Sequence, residues 1–164
     1  MTTAVFPGSF DPPTYGHMNI IERASKLFDK IDVVIAVNSG KKYLFSDQER
    51  FDFLEKLTEK YDNVSVHKCF GLVVDYCKLV NANVLLRGIR NSNDFAYEFD
   101  LSILNRTLDS NVETLFLPTE QKYGIVRSSS IKEIAQFGGD ISGMVPELVA
   151  NAMKEKYKNI SKIS

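Results

Sequence analysis

At 164 residues, with 44% hydrophobic and 25% charged side chains, the chain has enough apolar matter for a core and too much for a disordered segment. Its length suits one domain, expected to span residues 1–164, on a prior of roughly 100–200 residues per domain. Lys and Arg number 20 against 21 Asp and Glu, a net charge of -1. A duplex-binding protein carries a basic surplus, so no nucleic-acid partner is expected.

The first residues, MTTAVFPGSF, show no basic segment followed by an apolar run, so no export signal is read there. No stretch approaches the roughly 18 apolar residues of a membrane span, so no membrane partner is expected and the expected location is cytoplasmic. Cys69 and Cys77 make neither a metal cluster nor a disulfide framework, which fits a reduced compartment. Both read as small buried residues.

In chain order, residues 3–6 read as a strand and 17–28 as a helix, with Ile20, Ile21, Ala24, Leu27 and Phe28 at helical spacing. Residues 31–37 are β-branched and read as a strand buried on both faces. Ser46-Asp47-Gln48-Glu49 is a capping-box pattern that opens a helix to about residue 61. Residues 64–67 are a third strand, 72–80 a helix and 83–86 a fourth strand. A helix over 93–108, a fifth strand over 112–117 and a helix over 128–137 follow. Pro146 suits the first turn of a last helix to about residue 157, with 158–164 a frayed polar tail. His67 alternates with Val64 and Val66 and is expected to face solvent.

Strands alternating with helices predict an α/β fold: a Rossmann-like, doubly wound sandwich around a five-stranded parallel sheet. Ligands in such sheets lie beyond the carboxyl ends of the strands. That rim would be built by residues 7–17, 38–45, 70–73, 87–93 and 119–127.

The unusual residues fall in those segments. Residues 8–17 are neither a P-loop nor a dinucleotide fingerprint, yet they join a strand to a helix, where backbone N–H groups attract anions. His17 lies in the first helical turn, whose positive end disfavours a charged imidazole, so a neutral ring donating one N–H is expected. Arg87 and Arg90 flank Gly88 and Ile89 at a strand end, where guanidinium forks suit phosphate oxygens. Ser128-Ser129-Ser130 opens a helix and can cradle phosphate. Lys41-Lys42, taken alone, reads as a solvated basic loop. Asp94 and Asp100 read as a helix-start charge and a solvated face.

Gly8-Ser9-Phe10-Asp11-Pro12, followed by Thr14-Tyr15-Gly16-His17, resembles the first signature of the HxGH nucleotidyltransferase superfamily. Thr14 replaces the first His, as in the phosphopantetheine adenylyltransferases of bacterial type. Residues 123–132 resemble the second signature, with Arg127 where the family usually has Ser. The resemblance runs from Val5 to about Lys156.

The resemblance implies reversible transfer of the adenylyl group of ATP to 4′-phosphopantetheine, giving dephospho-CoA and pyrophosphate in coenzyme A biosynthesis. It implies His17, Lys41 and Arg90 as catalytic residues. Ser9, Lys41, Leu72, Val73 and Arg87 would hold the acceptor. Ser9, Phe10, His17, Gly88, Ile89, Arg90 and Glu98 would hold ATP, together with Tyr123, Gly124, Ile125, Val126, Arg127, Ser128 and Ser129. No carboxylate cluster is available for a protein-held metal, so Mg²⁺ is expected to arrive with ATP. The resemblance also implies a homohexamer and feedback inhibition by CoA. Two rivals stand beside this reading. A sister cytidylyltransferase or pyridine-nucleotide adenylyltransferase is opposed by Thr14 and Lys41. A non-catalytic nucleotide-binding regulator is opposed by the intact His17, Lys41, Arg87, Arg90 and Ser128-Ser129.

Overall fold

The computed structural model describes residues 1–124 and 127–163. Five strands alternate with helices: β1 (Thr3–Gly8), α1 (Tyr15–Ser25), β2 (Lys30–Ala36), α2 (Asp47–Thr58), β3 (Val64–Cys69), α3 (Val73–Leu79), β4 (Val84–Ile89), α4 (Ser92–Leu108) and β5 (Glu113–Pro118). A short 3₁₀ turn (Gln121–Tyr123) leads to α5 (Ser128–Gln136) and α6 (Glu147–Ile163). The sheet is parallel throughout, in the order β3-β2-β1-β4-β5. The chain therefore winds outward from β1 in one direction, then returns to wind in the other. The reversal lies between β1 and β4, where an open α/β sheet forms its binding crevice.

Alternation of side chains along the buried strands supplies both faces of the core. Phe6, Val33, Ile35 and Leu86 point to one face and pack with Ile20, Ile21 and Ala24 of α1 and Leu54 of α2. Val5, Val34 and Leu85 point to the other and pack with Val74 and Cys77 of α3. A third cluster joins α2 to α5 and α6 through Phe53, Ile131, Val149 and Met153. Cys69 and Cys77 are buried free thiols, and burial pushes Cys77 up to about 12, which suits packing and not nucleophilic attack.

Several boundaries differ from expectation for physical reasons. The first helix begins at Tyr15, because Thr14 caps it, and ends at Ser25. The fourth strand runs on through Ile89, so Arg87 and Gly88 are strand residues paired with Phe116 and Leu117. The last helix continues to Ile163, where a frayed tail was expected. His67 does not simply face solvent. Its side of β3 is covered in part by α3, which leaves the side chain 40% exposed with its ring 5.8 Å from that of Tyr76. Nε2 lies 3.6 Å from the buried carboxylate of Asp32, which also pairs with Lys30 and accepts the Tyr76 hydroxyl.

One helix is poorly covered. Of the 17 residues of α4, Glu98 is the buried one, whereas Phe95, Phe99, Ile103, Leu104 and Leu108 are all exposed.

Leu54 is fully buried between α2 and the sheet. Leu54→Ala should destabilise the protein by about 2–5 kcal/mol, the transfer free energy of the lost atoms plus a cavity term. Urea unfolding monitored by circular dichroism measures it. A loss under about 1 kcal/mol would show that this face of the sheet collapses to fill the gap.

Candidate active site

The β1–α1 loop is built around one histidine. Phe10 takes a left-handed conformation (φ 49), which turns the chain back over the end of β1. A Cβ at Gly8 would lie 3.1 Å from the Phe10 ring, so glycine lets the buried ring sit this close without shifting. The Phe10 ring stands edge-on to Phe6 and to His17, with centroids 5.6 and 4.9 Å away. Thr14 then caps α1: its hydroxyl accepts the N–H of His17 at 3.2 Å, and its own N–H donates to Nδ1 of His17 at 3.0 Å. This is a capping box with histidine in the place of the usual Glu.

The cap settles the imidazole. Nδ1 accepts a backbone N–H and so carries no proton, which places the proton on Nε2. His17 keeps some accessible surface, but burial of the ring lowers its pKa from 6.5 to about 4. Arg90 and, less strongly, Arg87 act in the same direction. The ring is therefore a neutral donor, as expected. The larger causes are desolvation and two cations, whereas the expectation rested on the helix dipole.

The two arginines are held by different means. Arg87 donates from Nε and Nη2 to the two carboxylate oxygens of Glu98, both at 2.7 Å, and from Nη1 to the carbonyl of Pro7 at 2.8 Å. The last bond bridges a split in the sheet. β1 and β4 pair at Ala4↔Val84 and Val5↔Leu85, and beyond that point the guanidinium spans the gap the ladder leaves. Arg90 pairs with Asp94, its Nε 2.9 Å from Oδ2. Asp94 thus does more than charge the start of α4.

Two cavities open at this split. One, of about 250 Å³, is walled by Ser9, His17, Gly88, Arg90, Tyr123 and Ser128 among others. The second, of about 440 Å³, is walled by Lys41, Leu72, Val73, Tyr97 and Asn105 among others. Pro7, Gly8, Ser9, Arg87 and Glu98 line both, so the two are lobes of one trough. Leu72 and Val73 enter it as the cap and first residue of α3.

Other expected residues lie nearby without forming the walls described. Phe10 is buried behind His17, and Ile89 ends β4. Gly124 closes the 3₁₀ turn. Arg127 occupies the N-cap position of α5 with no side-chain cap bond, since a guanidinium cannot accept the N–H that a serine would. Ser129 is exposed on the first turn. Ile125 and Val126 lie outside the described residues. Among the described residues no three His, Cys, Asp or Glu side chains converge as metal ligands.

Besides Asp32 beneath α3, sequence reasoning missed two buried charges next to the site. Asp11, 3% exposed, accepts the backbone N–H groups of Leu44 and Phe45 and the ammonium of Lys132 at 2.9–3.0 Å. Its place inside the Gly8–Pro12 string was the available signal. Arg50 shares the spacing of the buried Phe53 and Leu54 on α2, an anomaly for a charged residue that marks it as internal.

The cytidylyltransferase-like family pattern matches residues 5–134. A phosphopantetheine adenylyltransferase of Caldanaerobacter subterraneus is 49% identical over 158 residues, covering 96% of this chain and 99% of its own. One from Clostridium botulinum is 46% identical, covering 97% of each chain. Among solved structures, a putative nicotinate-nucleotide adenylyltransferase of Vibrio parahaemolyticus superposes with a TM-score of 0.67 over 93% of this chain and 99% of its own. At 17% identity it shares the fold alone.

The trough at the switch point of this sheet, lined by a neutral histidine and two arginines, and the family match together define a nucleotidyltransferase. Within that class, the chain belongs to the phosphopantetheine adenylyltransferase family.

The protonation of His17 is directly measurable. Its pKa of about 4 predicts a ring that stays neutral, as the Nε2–H form, from pH 8 down to pH 5. Two-dimensional NMR of the imidazole resonances during a pH titration checks this. A midpoint near the ordinary value of about 6.5 would refute it.

Proposed function

We propose that the chain catalyses reversible transfer of AMP from ATP to 4′-phosphopantetheine, yielding dephospho-CoA and pyrophosphate, as one domain of residues 1–164 in the cytoplasm. The observation that carries this reading is the two-lobed trough whose lobes share Ser9 and Arg87. One lobe has the histidine, Arg90 and the start of α5 that suit a triphosphate. The other mixes apolar side chains such as Leu72, Val73 and Leu101 with polar ones and Lys41, which suits a phosphate on a long arm.

In this mechanism an acceptor phosphate oxygen attacks the α-phosphorus of ATP. A P–O bond forms there, the bond to the β-phosphate oxygen breaks, and pyrophosphate leaves with the electron pair. The nucleophile is already an anion near neutral pH, so no general base is needed. Rate enhancement then comes from placing the two phosphates and from stabilising charge as it develops. The Nε2–H of His17 donates to an α-phosphate oxygen. Lys41 brings the acceptor phosphate in, and Arg90 balances the departing pyrophosphate. Arg87 meets the acceptor phosphate at the junction of the lobes, held in place by Glu98. Glu98 and Asp94, the carboxylates of the trough, are each engaged by an arginine. Mg²⁺ would accordingly come with ATP, where it would offset phosphate charge, since both of these carboxylates already hold an arginine.

CoA carries the same pantetheine arm and nucleotide as the product, so it competes for the whole trough as a feedback inhibitor. The exposed apolar side chains of α4 support assembly with further copies, a homohexamer in this reading. Among the described residues, no helix is long and apolar enough to cross a membrane.

The deciding experiment supplies ATP, Mg²⁺ and phosphopantetheine and looks for dephospho-CoA, with CTP and nicotinate mononucleotide as alternative donor and acceptor. His17→Ala should lower kcat by about 10²–10³ with little change in ATP affinity, because its donor acts mainly in the transition state. A variant near wild-type kcat would remove His17 from the chemistry.

The pH profile follows from the same site. With the imidazole neutral above about 4, His17 does not produce an acid limb near pH 6. The second ionisation of the acceptor phosphate, at about 6, does. The logarithm of kcat/KM should fall below that pH, and the limb should move down with a thiophosphate acceptor of lower pKa. An unmoved limb would require an enzyme base.

A further inference from the structure

Among the described residues, the largest fully buried side chain is a charged one, that of Arg50 at 1% exposure. It stands on α2 and lines neither lobe of the trough. The contacts described for its guanidinium are to two carbonyls and one ring. Nη1 donates to the carbonyl of Ser9 at 2.8 Å, Nε donates to the carbonyl of Ser46 at 3.2 Å, and the plane lies 4.0 Å from the centre of the Tyr43 ring. A buried cation held by neutral groups is expensive, so its geometry has to serve something an apolar side chain would not.

The contacts lead to the acceptor lysine. The Tyr43 hydroxyl accepts the N–H of Asn38 at 3.2 Å. Asn38 in turn accepts the N–H of Lys41 on its carbonyl and that of Gly40 on its side chain. Arg50, Tyr43, Asn38 and Lys41 thus form one bonded run through a loop whose tip is exposed. The other arm of the fork reaches Ser9, which lines both lobes.

We propose that Arg50 is a positioning residue: it fixes the Lys41 loop relative to the Ser9 end of β1, and so sets the distance between acceptor phosphate and nucleotide. This rests on the adenylyl-transfer reading above. A planar fork that donates along two edges and stacks on its face can hold three groups at once, here two in the β2–α2 loop and one at the end of β1, which a lysine ammonium cannot.

The test compares Arg50→Met, Arg50→Lys and Tyr43→Leu with the wild type in steady-state turnover of Mg–ATP and phosphopantetheine. Calorimetric titration of ATP and a thermal melt accompany each. Arg50→Met should lose about a hundredfold in kcat and raise the acceptor KM, with ATP affinity within about threefold of wild type. Arg50→Lys should recover less than about a tenth of wild-type activity, because it restores charge without the fork. Wild-type turnover in either Arg50 variant overturns the proposal. If Arg50→Met does not fold, Tyr43→Leu keeps the test open: it removes one platform of the same run and should lower kcat with ATP affinity retained. An unchanged kcat there overturns the proposal equally. Absence of turnover in the wild type refutes adenylyl transfer itself, a result separate from any variant that matches an active wild type.

Discussion

The site depends on one buried carboxylate. Asp11 stands on the β1–α1 loop, yet its oxygens bind the backbone of the β2–α2 loop at Leu44 and Phe45 and the ammonium of Lys132 on α5. Three segments far apart in sequence are thereby drawn onto one atom pair. Each carries a residue that lines the trough: His17 follows Asp11, Lys41 precedes Leu44, and Ser128 opens the helix of Lys132. A carboxylate can hold them because it accepts several bonds at once and binds charged donors more strongly than a neutral group would. Burial strengthens the arrangement, since water does not compete for the same oxygens.

Around that anchor, the sheet opens where it would otherwise be closed. Had β1 and β4 paired along their full length, Ser9 and Arg87 would sit at the edge of a continuous ladder. The split lets two lobes meet, and the arginine that spans it bonds to a strand on one side and a carboxylate on α4 on the other. Burial of the imidazole, and after it the two guanidinium groups alongside, disfavour a second proton, and His17 accordingly stays neutral. The trough thus gathers fixed positive charge on the arginines and keeps its histidine as a donor without charge.

Much of this could be read from the chain before folding. Buried β-branched runs separated by helical periods specified the parallel sheet, and the strings at Gly8–Pro12 and Thr14–His17 located the first loop. The limits are equally physical. Strand 84–89 was cut short at Leu86, because arginine and glycine end an apolar run even where the ladder continues. His67 was assigned to solvent because alternation says which side of a strand a residue takes, not what covers that side. Asp11 reaches Phe45 and Lys132, and Arg50 reaches Ser9, across about 30 to 120 positions, and no local period encodes such pairings. The exposed stripe on α4 raises the same difficulty at another scale, since a pattern of apolar residues does not say whether its cover is the same chain or another copy.

The cap of α1 joins two properties that are ordinarily separate. The bond from the Thr14 N–H to His17 Nδ1 both starts the helix and assigns the imidazole proton. Terminal turns fray at lower free energy than the core unfolds. Fraying here would release the ring to rotate and exchange tautomers while sheet and core stay intact. Heat would then unfasten the imidazole through a local loosening, before any change in the overall fold, and cooling would reset it without refolding.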